Sequence, residues 1–554
     1  MTSPSNAEFA PAAHPLDVYD LDAQQHAAVT TAARRVVVRA GPGAGKTRVL
    51  VARLRHLLDL GFEPHRILAL AFTRRAAEEV RARLDVPLEC QPLVTTFHGW
   101  YLALVEANAS VVGLLPGVTV RDRDEVEALA VQIGAERRHR HRSAARLLED
   151  PEIAQLVRTR LRDSNSVSYD DLEALALKLL RDGVARPSLA HVLVDEAQDT
   201  SPHQQEVLSH LAAGRTALAP SADLFLVGDT SQAIYRFRGG DPDGFLRLGE
   251  NAARYELRAN YRSSWPVVAA AARAQLTPPP VPQYTVDDEQ PGWTGTIHEW
   301  DFAEHVRNVC GGEWGRCAVL LPTWNGANWA AVQLEGEGIP HIVARRGTTW
   351  TTPHGRSVIA ALRVVGNPHD RLSLEQLIGS AARTPAWHRA LADAIERGRP
   401  VVDAGLEAAA GLPIAARVTL ARSALARGVP PHDVAADLVA GGPDEERQLA
   451  ALDAAQGCRT VADLLAVLQD EGSALPPQGE RVLLSTIHGV KGAEWDHIWV
   501  GGFDGARGDV EDLRRLLYVA TTRARRTCAW IVDDVTRPPV LVAELLAAET
   551  VGRP

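Results

Sequence analysis

Short runs of aliphatic and β-branched residues, almost unbroken by polar positions, punctuate the first part of the chain. Residues 36–38, 67–72, 93–96, 192–194 and 224–227 are such runs. Continuous apolar character is what a parallel strand covered on both faces requires. Between the first two runs, residues 47–60 carry Leu, Val and Ala at helical spacing. The alternation is a βαβ pattern and predicts a doubly wound sheet. A second series begins near 255–257 and continues through 318–321, 339–343, 482–486, 498–500 and 528–532. It predicts a second α/β unit. Two stretches break the pattern, about 104–187 and about 371–478, both helical in period. Each reads as a helical insertion within one unit. Residues 277–293, rich in Pro and acid, read as a surface loop or linker.

Composition narrows the class. With 554 residues and 46% hydrophobic content, the chain is too apolar to be disordered and long enough for several domains. No apolar run approaches the ~20 residues of a membrane span. Residues 1–15 are polar and Pro/Ala-rich, without the basic and apolar regions of a secretory leader. They read as a flexible tail on a cytoplasmic protein. Cys90, Cys310, Cys317, Cys458 and Cys528 are scattered without a CxxC pair. Buried apolar thiols are expected, with neither a disulfide framework nor a structural zinc. The net charge of −10 still allows a local basic groove. The cluster Arg137-Arg138-His139-Arg140-His141-Arg142 is either a solvated helix face or a phosphate contact.

Chemistry enters with Ala40-Gly41-Pro42-Gly43-Ala44-Gly45-Lys46-Thr47, set between a strand and a helix. Glycines let backbone N–H groups approach phosphates, and the helix N-terminus adds free donors. Lys46 is placed to reach the β- and γ-phosphates of a nucleotide and Thr47 to hold Mg²⁺. The second signal is the apolar run 192–194 ending in Asp195-Glu196-Ala197-Gln198-Asp199. Asp195 is a candidate Mg²⁺ ligand and Glu196 a candidate base for the attacking water.

Asp195-Glu196-Ala197-Gln198-Asp199 resembles the DExQD box of superfamily 1 helicases, and the chain resembles the UvrD/Rep/PcrA group from about 21 to 533. The stretch 21–29, containing Gln25, resembles the Q motif. Residues 71–77 resemble motif Ia, with Arg75 where Lys is usual, and 95–99 resemble the next DNA-contacting motif. Residues 228–239 resemble motif III, 260–264 motif IV, 486–495 motif V and 518–524 motif VI. The resemblance implies two RecA-like P-loop NTPase motor domains in tandem, an α/β fold in which each carries a mainly helical insertion. The expected division is 16–104 plus 188–258 for the first motor domain and 105–187 for its insertion. The second motor domain takes 259–370 plus 479–554, with a reduced insertion at 371–478.

The resemblance also implies roles. ATP would lie between the motor domains, cradled by Gly41, Pro42, Gly43, Ala44, Gly45, Lys46 and Thr47. Gln25 would read the adenine edge, Arg48 and Tyr261 would sandwich its ring, and Glu494 would contact the ribose. Gln232 would sense the γ-phosphate, and Arg262 and Arg523 would supply cations to it. Phe72, Tyr235 and Phe237 would stack on bases. Thr73, Arg75, Thr96, His98, Arg238, His488 and Lys491 would complete the single-stranded DNA contacts. The implied activity is DNA-stimulated ATP hydrolysis driving 3′→5′ translocation and opening of tailed duplexes in repair, replication restart or recombination. The insertions and the 500–513 connection look short for the group. That favours, as the alternative, a nucleic-acid-sensing ATPase subunit of a larger nuclease or defence complex, held there by a protein partner.

Overall fold

The structure, a computed structural model, describes residues 20–137, 143–213, 221–236, 239–287, 290–344, 350–453, 455–470, 480–504, 506 and 508–546. The tail 1–15 and basic residues 138–142 lie outside them. Among the described residues no helix is long and apolar enough to cross a membrane. The chain divides into two compact units, residues 1–97, 186–345 and 475–554 forming one and residues 98–185 and 346–474 the other.

The first unit holds two six-stranded sheets. One contains β1 (Arg35–Ala40), β2 (Ile67–Ala71), β3 (Leu93–Thr96), β6 (His191–Val194), β7 (Asp223–Gly228) and β8 (Ala253–Leu257), in the order β3-β2-β6-β7-β1-β8. Every pairing is parallel. β2 and β6 are buried at every position, as their unbroken apolar sequences require. The other sheet contains β11 (Trp293–His298), β12 (Cys317–Leu321), β13 (His341–Val343), β14 (Val482–Thr486), β15 (Trp495–Val500) and β16 (Ala524–Val532), in the order β11-β16-β15-β12-β14-β13. It too is wholly parallel. Between the sheets in sequence lies a two-residue ladder, β9 (Ala259–Asn260) with β10 (Tyr284–Thr285).

The second unit is helical apart from the ladder of β4 (Thr119–Arg121) with β5 (Ser166–Ser168). Its main core gathers Trp350, Leu362, Leu374, Trp387, Val402, Val418, Val434 and Leu464. The helix Pro353–Gly366 belongs here and not to the second motor domain as expected. Val358, Ile359, Leu362 and Val365 bury its apolar face in this core.

Three further expectations shift. Residues 255–257 do not open the second sheet; they pair with β1 and close the first. The segment 277–293, read as a surface loop or linker, does lead to the second sheet but also supplies β10 and the first residue of the edge strand β11. Cys310 and Cys317, expected as free thiols, are joined in a disulfide. A short turn brings the end of the helix Phe302–Cys310 back to the start of β12, so the two positions meet although the sequence shows no cysteine motif.

Candidate functional site

The first sheet positions the phosphate loop. β1 ends at Ala40 and the helix Lys46–Asp59 begins six residues later. Gly43 and Gly45 sit at φ +72° and +83°, a region that residues with a Cβ enter at a cost. Close approach reinforces the need. A Cβ on Gly43 would fall 2.7 Å from Asn260 Oδ1, and one on Gly45 would fall 2.8 Å from Gln25 Nε2. Ala44 is buried, Thr47 half-buried, and Lys46 Nζ donates to the Ala40 carbonyl at 3.4 Å.

The end of β6, separated from β1 by β7, brings carboxylates to this loop. Lys46 Nζ stands 3.9 Å from Glu196 Oε1. Asp195 is buried and accepts from the Glu196 N–H at 3.0 Å. Burial, and then the Glu196 charge, raise the Asp195 carboxyl above the usual carboxylate range. Burial opposes ionisation of Glu196 as well, but Lys46 and Lys491 outweigh it and hold that carboxyl low. Glu196 itself has φ +47°. Its Oε2 accepts from Gln198 Nε2 at 2.6 Å, and Gln198 Oε1 accepts from the Asp229 N–H at 2.9 Å. Asp195 and Thr47 offer one carboxylate and one hydroxyl. These are hard oxygen donors suited to Mg²⁺, which keeps several waters and fills out its shell with phosphate oxygens. A buried carboxyl destabilised in its charged form is a place where a cation fits.

The second sheet reaches the same place. Arg523 is buried and donates from Nη2 to Gln232 Oε1 at 3.2 Å, while Gln232 Nε2 donates to Asp229 Oδ2 at 2.7 Å. Burial and the neighbouring Arg262 push the Arg523 guanidinium down to about 10. Arg262 pairs with Glu494, and Arg525 Nε donates to the same carboxylate at 3.1 Å. Glu494, expected at a ribose, is thus occupied by two arginines. Arg262 is likewise lowered by burial, which the Glu494 charge opposes.

The expected adenine-binding residues also come together. Arg48 lies 5.5 Å from the centre of the Tyr261 ring, whose hydroxyl donates to Asp22 Oδ2 at 2.7 Å. Stacking contacts of ~3.5 Å on both faces of a flat ring require the pair to part by about 1.5 Å. Gln25 is buried, donating to the Ala44 carbonyl at 3.0 Å and accepting from the Asp22 N–H at 3.2 Å.

Of the expected strand contacts, Phe72 and Tyr235 stack on each other with centroids 5.1 Å apart. The Tyr235 hydroxyl donates to the His488 carbonyl at 3.1 Å, and the rings of Tyr235 and His488 lie 6.1 Å apart. Thr73 and Arg75 are exposed at the start of the helix Arg74–Leu84, which Thr73 caps. Thr96 is half-buried at the end of β3. His98 belongs to the helical unit, edge-on to Tyr169 at 4.7 Å. Phe237 and Arg238 lie outside the described residues. Lys491 is placed differently from the expectation. It is buried against Asp199, donates to the Gln232 carbonyl at 3.0 Å, and stands 3.8 Å from Glu196 and 5.2 Å from the Tyr235 ring centre. Burial outweighs the nearby Lys491 charge and raises Asp199 to about 6.

Among the residues at the site that escaped the sequence reading as participants are Gln198, Asp199, Asn260 and Gln283. Gln198, Asp199 and Asn260 sit inside recognised motifs and could have been flagged there. Gln283, in the Pro-rich segment, carried no signal. Its Nε2 and Asn260 Nδ2 each donate to the Pro42 carbonyl at 3.0 Å.

The chain is similar to known proteins. A family model described as an AAA domain matches residues 24–238, and one described as a UvrD-like helicase C-terminal domain matches residues 481–531. The ATP-dependent DNA helicase UvrD1 of Mycobacterium tuberculosis is 27% identical over 91% of this chain and 81% of its own length. The putative ATP-dependent DNA helicase YjcD of Bacillus subtilis is 26% identical over 91% of this chain and 78% of its own. The ATP-dependent DNA helicase PcrA of Staphylococcus epidermidis is 25% identical over 66% and 56% respectively.

Proposed function

We propose that this chain, which is similar to the UvrD/PcrA-type superfamily 1 helicases, is a DNA-stimulated ATPase that moves 3′→5′ along single-stranded DNA and opens tailed duplexes. The observation that carries this reading is the convergence of Lys46 and Glu196 from one sheet with Arg523 and Lys491 from the other. Such a site is complete only when both sheets contribute.

Glu196, held ionised by two lysines, takes a proton from the attacking water. Lys46 meets the β- and γ-phosphates, and Arg523 and Arg262 meet the charge spreading over the transferring group. Thr47 and Asp195 would hold Mg²⁺, which would supply positive charge to offset that of the phosphates. Gln232 joins Arg523 to Asp229 and thereby registers which sheet-to-sheet arrangement is present. The stacked pair of Phe72 and Tyr235 lies one contact from Lys491. Aromatic faces of this kind hold bases without sequence preference, at about 1–3 kcal/mol each. A base entering between the two rings separates them, and that movement reaches the carboxylates through Lys491.

The test is ATP turnover with and without single-stranded DNA, with Lys46→Ala as the blank, followed by unwinding of 3′-tailed against 5′-tailed duplexes. Strong stimulation and a preference for the 3′ tail are expected. Turnover indifferent to DNA would remove the motor reading. Unwinding confined to the 5′ tail would reverse the polarity.

A further inference from the structure

Two connections link the sheets here, an outgoing one and a returning one that then crosses again. The first leaves β9 at Asn260. Four residues later it is fixed to β16, where the Ser264 N–H donates to the Arg525 carbonyl at 2.7 Å and Ser263 Oγ to the Ala524 carbonyl at 2.7 Å. The helix Trp265–Ala272 then packs in the second sheet's core through Val267, Ala270 and Ala271. The chain next returns to the first sheet. Arg39 Nη2 donates to the Pro279 carbonyl at 3.3 Å, and β10 pairs alongside β9. It crosses a second time into β11, which pairs with β16.

The two connections therefore run side by side over the phosphate loop, and one atom ties both to it. The Pro42 carbonyl accepts from Asn260 Nδ2 and from Gln283 Nε2, each at 3.0 Å, and the two amides lie 3.4 Å from each other. Gln283 packs flat on the loop, so that a Cβ on Gly41 would fall 2.5 Å from its Cδ. A phosphate loop reshapes its carbonyls when its N–H groups turn onto phosphates, and a side chain bonded to one of those carbonyls moves with it. Hinges are a few positions at element ends that absorb such changes.

We propose that Gln283 is a positioning residue that latches the returning connection to the phosphate loop, so that the phosphates of a bound nucleoside triphosphate set the placement of the second sheet. This rests on the motor reading above. Asn260 anchors the outgoing connection and Gln283 the returning one. Two tethers on one carbonyl fix an orientation where a single tether leaves a pivot.

The test uses the full chain with fluorophores at Cys90, which is exposed, and at Val332→Cys, an exposed position of the helix Trp324–Gly336 in the second sheet's domain. Cys458 is replaced by Ser. Energy transfer is followed on adding a non-hydrolysable ATP analogue with Mg²⁺, beside ATP turnover on single-stranded DNA. Gln283→Met keeps the length and removes the donor, whereas Gln283→Asn keeps the amide and cannot reach. In both variants the analogue is expected to bind within about threefold of the parent. The transfer change should shrink by roughly half or more, and DNA-stimulated kcat should fall by roughly 10-fold with little change in KM. A parent that turns over ATP and closes, with variants that do both equally well, would overturn the latch alone. Loss of analogue binding in both variants would also overturn it, making Gln283 a support of the loop. A parent without ATP turnover would overturn the motor reading and the latch together.

Discussion

Glu196 carries its carboxylate on a backbone turned into the left-handed region, φ +47°, which costs a residue with a Cβ roughly 1–3 kcal/mol. The hydrogen bond from Gln198 and the nearby Lys46 and Lys491 offset that cost. They also fix the carboxylate where β6 alone would not send it. Glu196→Gln keeps the shape and removes the charge. It is expected to bind ATP normally and to turn over about 10²–10⁴-fold more slowly, as read by phosphate release beside a fluorescent-nucleotide titration. Turnover within twofold of the parent would take the base role from Glu196. Arg523→Lys keeps the charge but not the planar fork that reaches Gln232. A loss of about 10³-fold or more, close to that of Arg523→Ala, is expected in single-turnover measurements. Recovery of parental rates by lysine would mean that only the charge matters.

At the scale of elements, the first five apolar runs of the sequence all became strands, four of them in the interior of the first sheet, where a strand covered on both faces has no choice but to be apolar. β11 escaped because an edge strand need not be: its sequence, WTGTIH, is half-exposed. The place of residues 255–257 escaped because apolar character announces a strand and not its neighbour. The same limit explains Lys491. Its motif placed it among DNA contacts, but the fold turns it inward against Asp199. A phosphate-contacting lysine contributes about one unit of the salt slope of DNA binding. A Lys491→Met/Asp199→Asn variant, which leaves no unpaired buried charge, is expected to keep the parental salt slope while its DNA-stimulated turnover falls. A slope smaller by one unit would restore the surface role. A second element-scale expectation concerns His305, on the helix Phe302–Cys310, whose Nδ1 accepts from Trp499 Nε1 at 3.0 Å. Burial lowers its pKa, so below about pH 6.5 the unfolded chain takes up a proton that the folded one resists. Stability is therefore lost as pH falls through that range. His305→Gln, which can still accept from Trp499, should show a smaller drop in melting temperature between about pH 7.5 and 5.5. An unchanged drop would mean that other histidines set the acid sensitivity.

For the whole molecule, the helical stretches were legible in sequence as two insertions, but nothing in either stretch says that they fold as one body. The joint is ionic and buried. Arg121 Nη2, on β4, donates to Asp370 Oδ2 at 2.6 Å and to Ser373 Oγ at 3.0 Å, and Asp370 has no exposed surface. Beside it Arg363 Nη2 donates to Glu125 Oε2 at 2.8 Å, and Asn367 Nδ2 donates to Thr119 Oγ1 at 3.0 Å. Charges 249 residues apart leave no periodic trace, because each alone reads as a solvated position. Removing one partner of a buried pair leaves the other uncompensated at about 3–5 kcal/mol, whereas replacing both with apolar residues of similar size is often neutral. Asp370→Leu is therefore expected to accelerate amide exchange in the helices Arg123–Glu136 and Arg371–Ile378 while the two parallel sheets keep their protection. Arg121→Met added to it should recover most of the loss. If the double variant were as labile as the single one, the joint would depend on the hydrogen bonds to Ser373 and Thr119 and not on charge pairing. If exchange rose equally in the sheets, the helical unit would not be a cooperative body of its own.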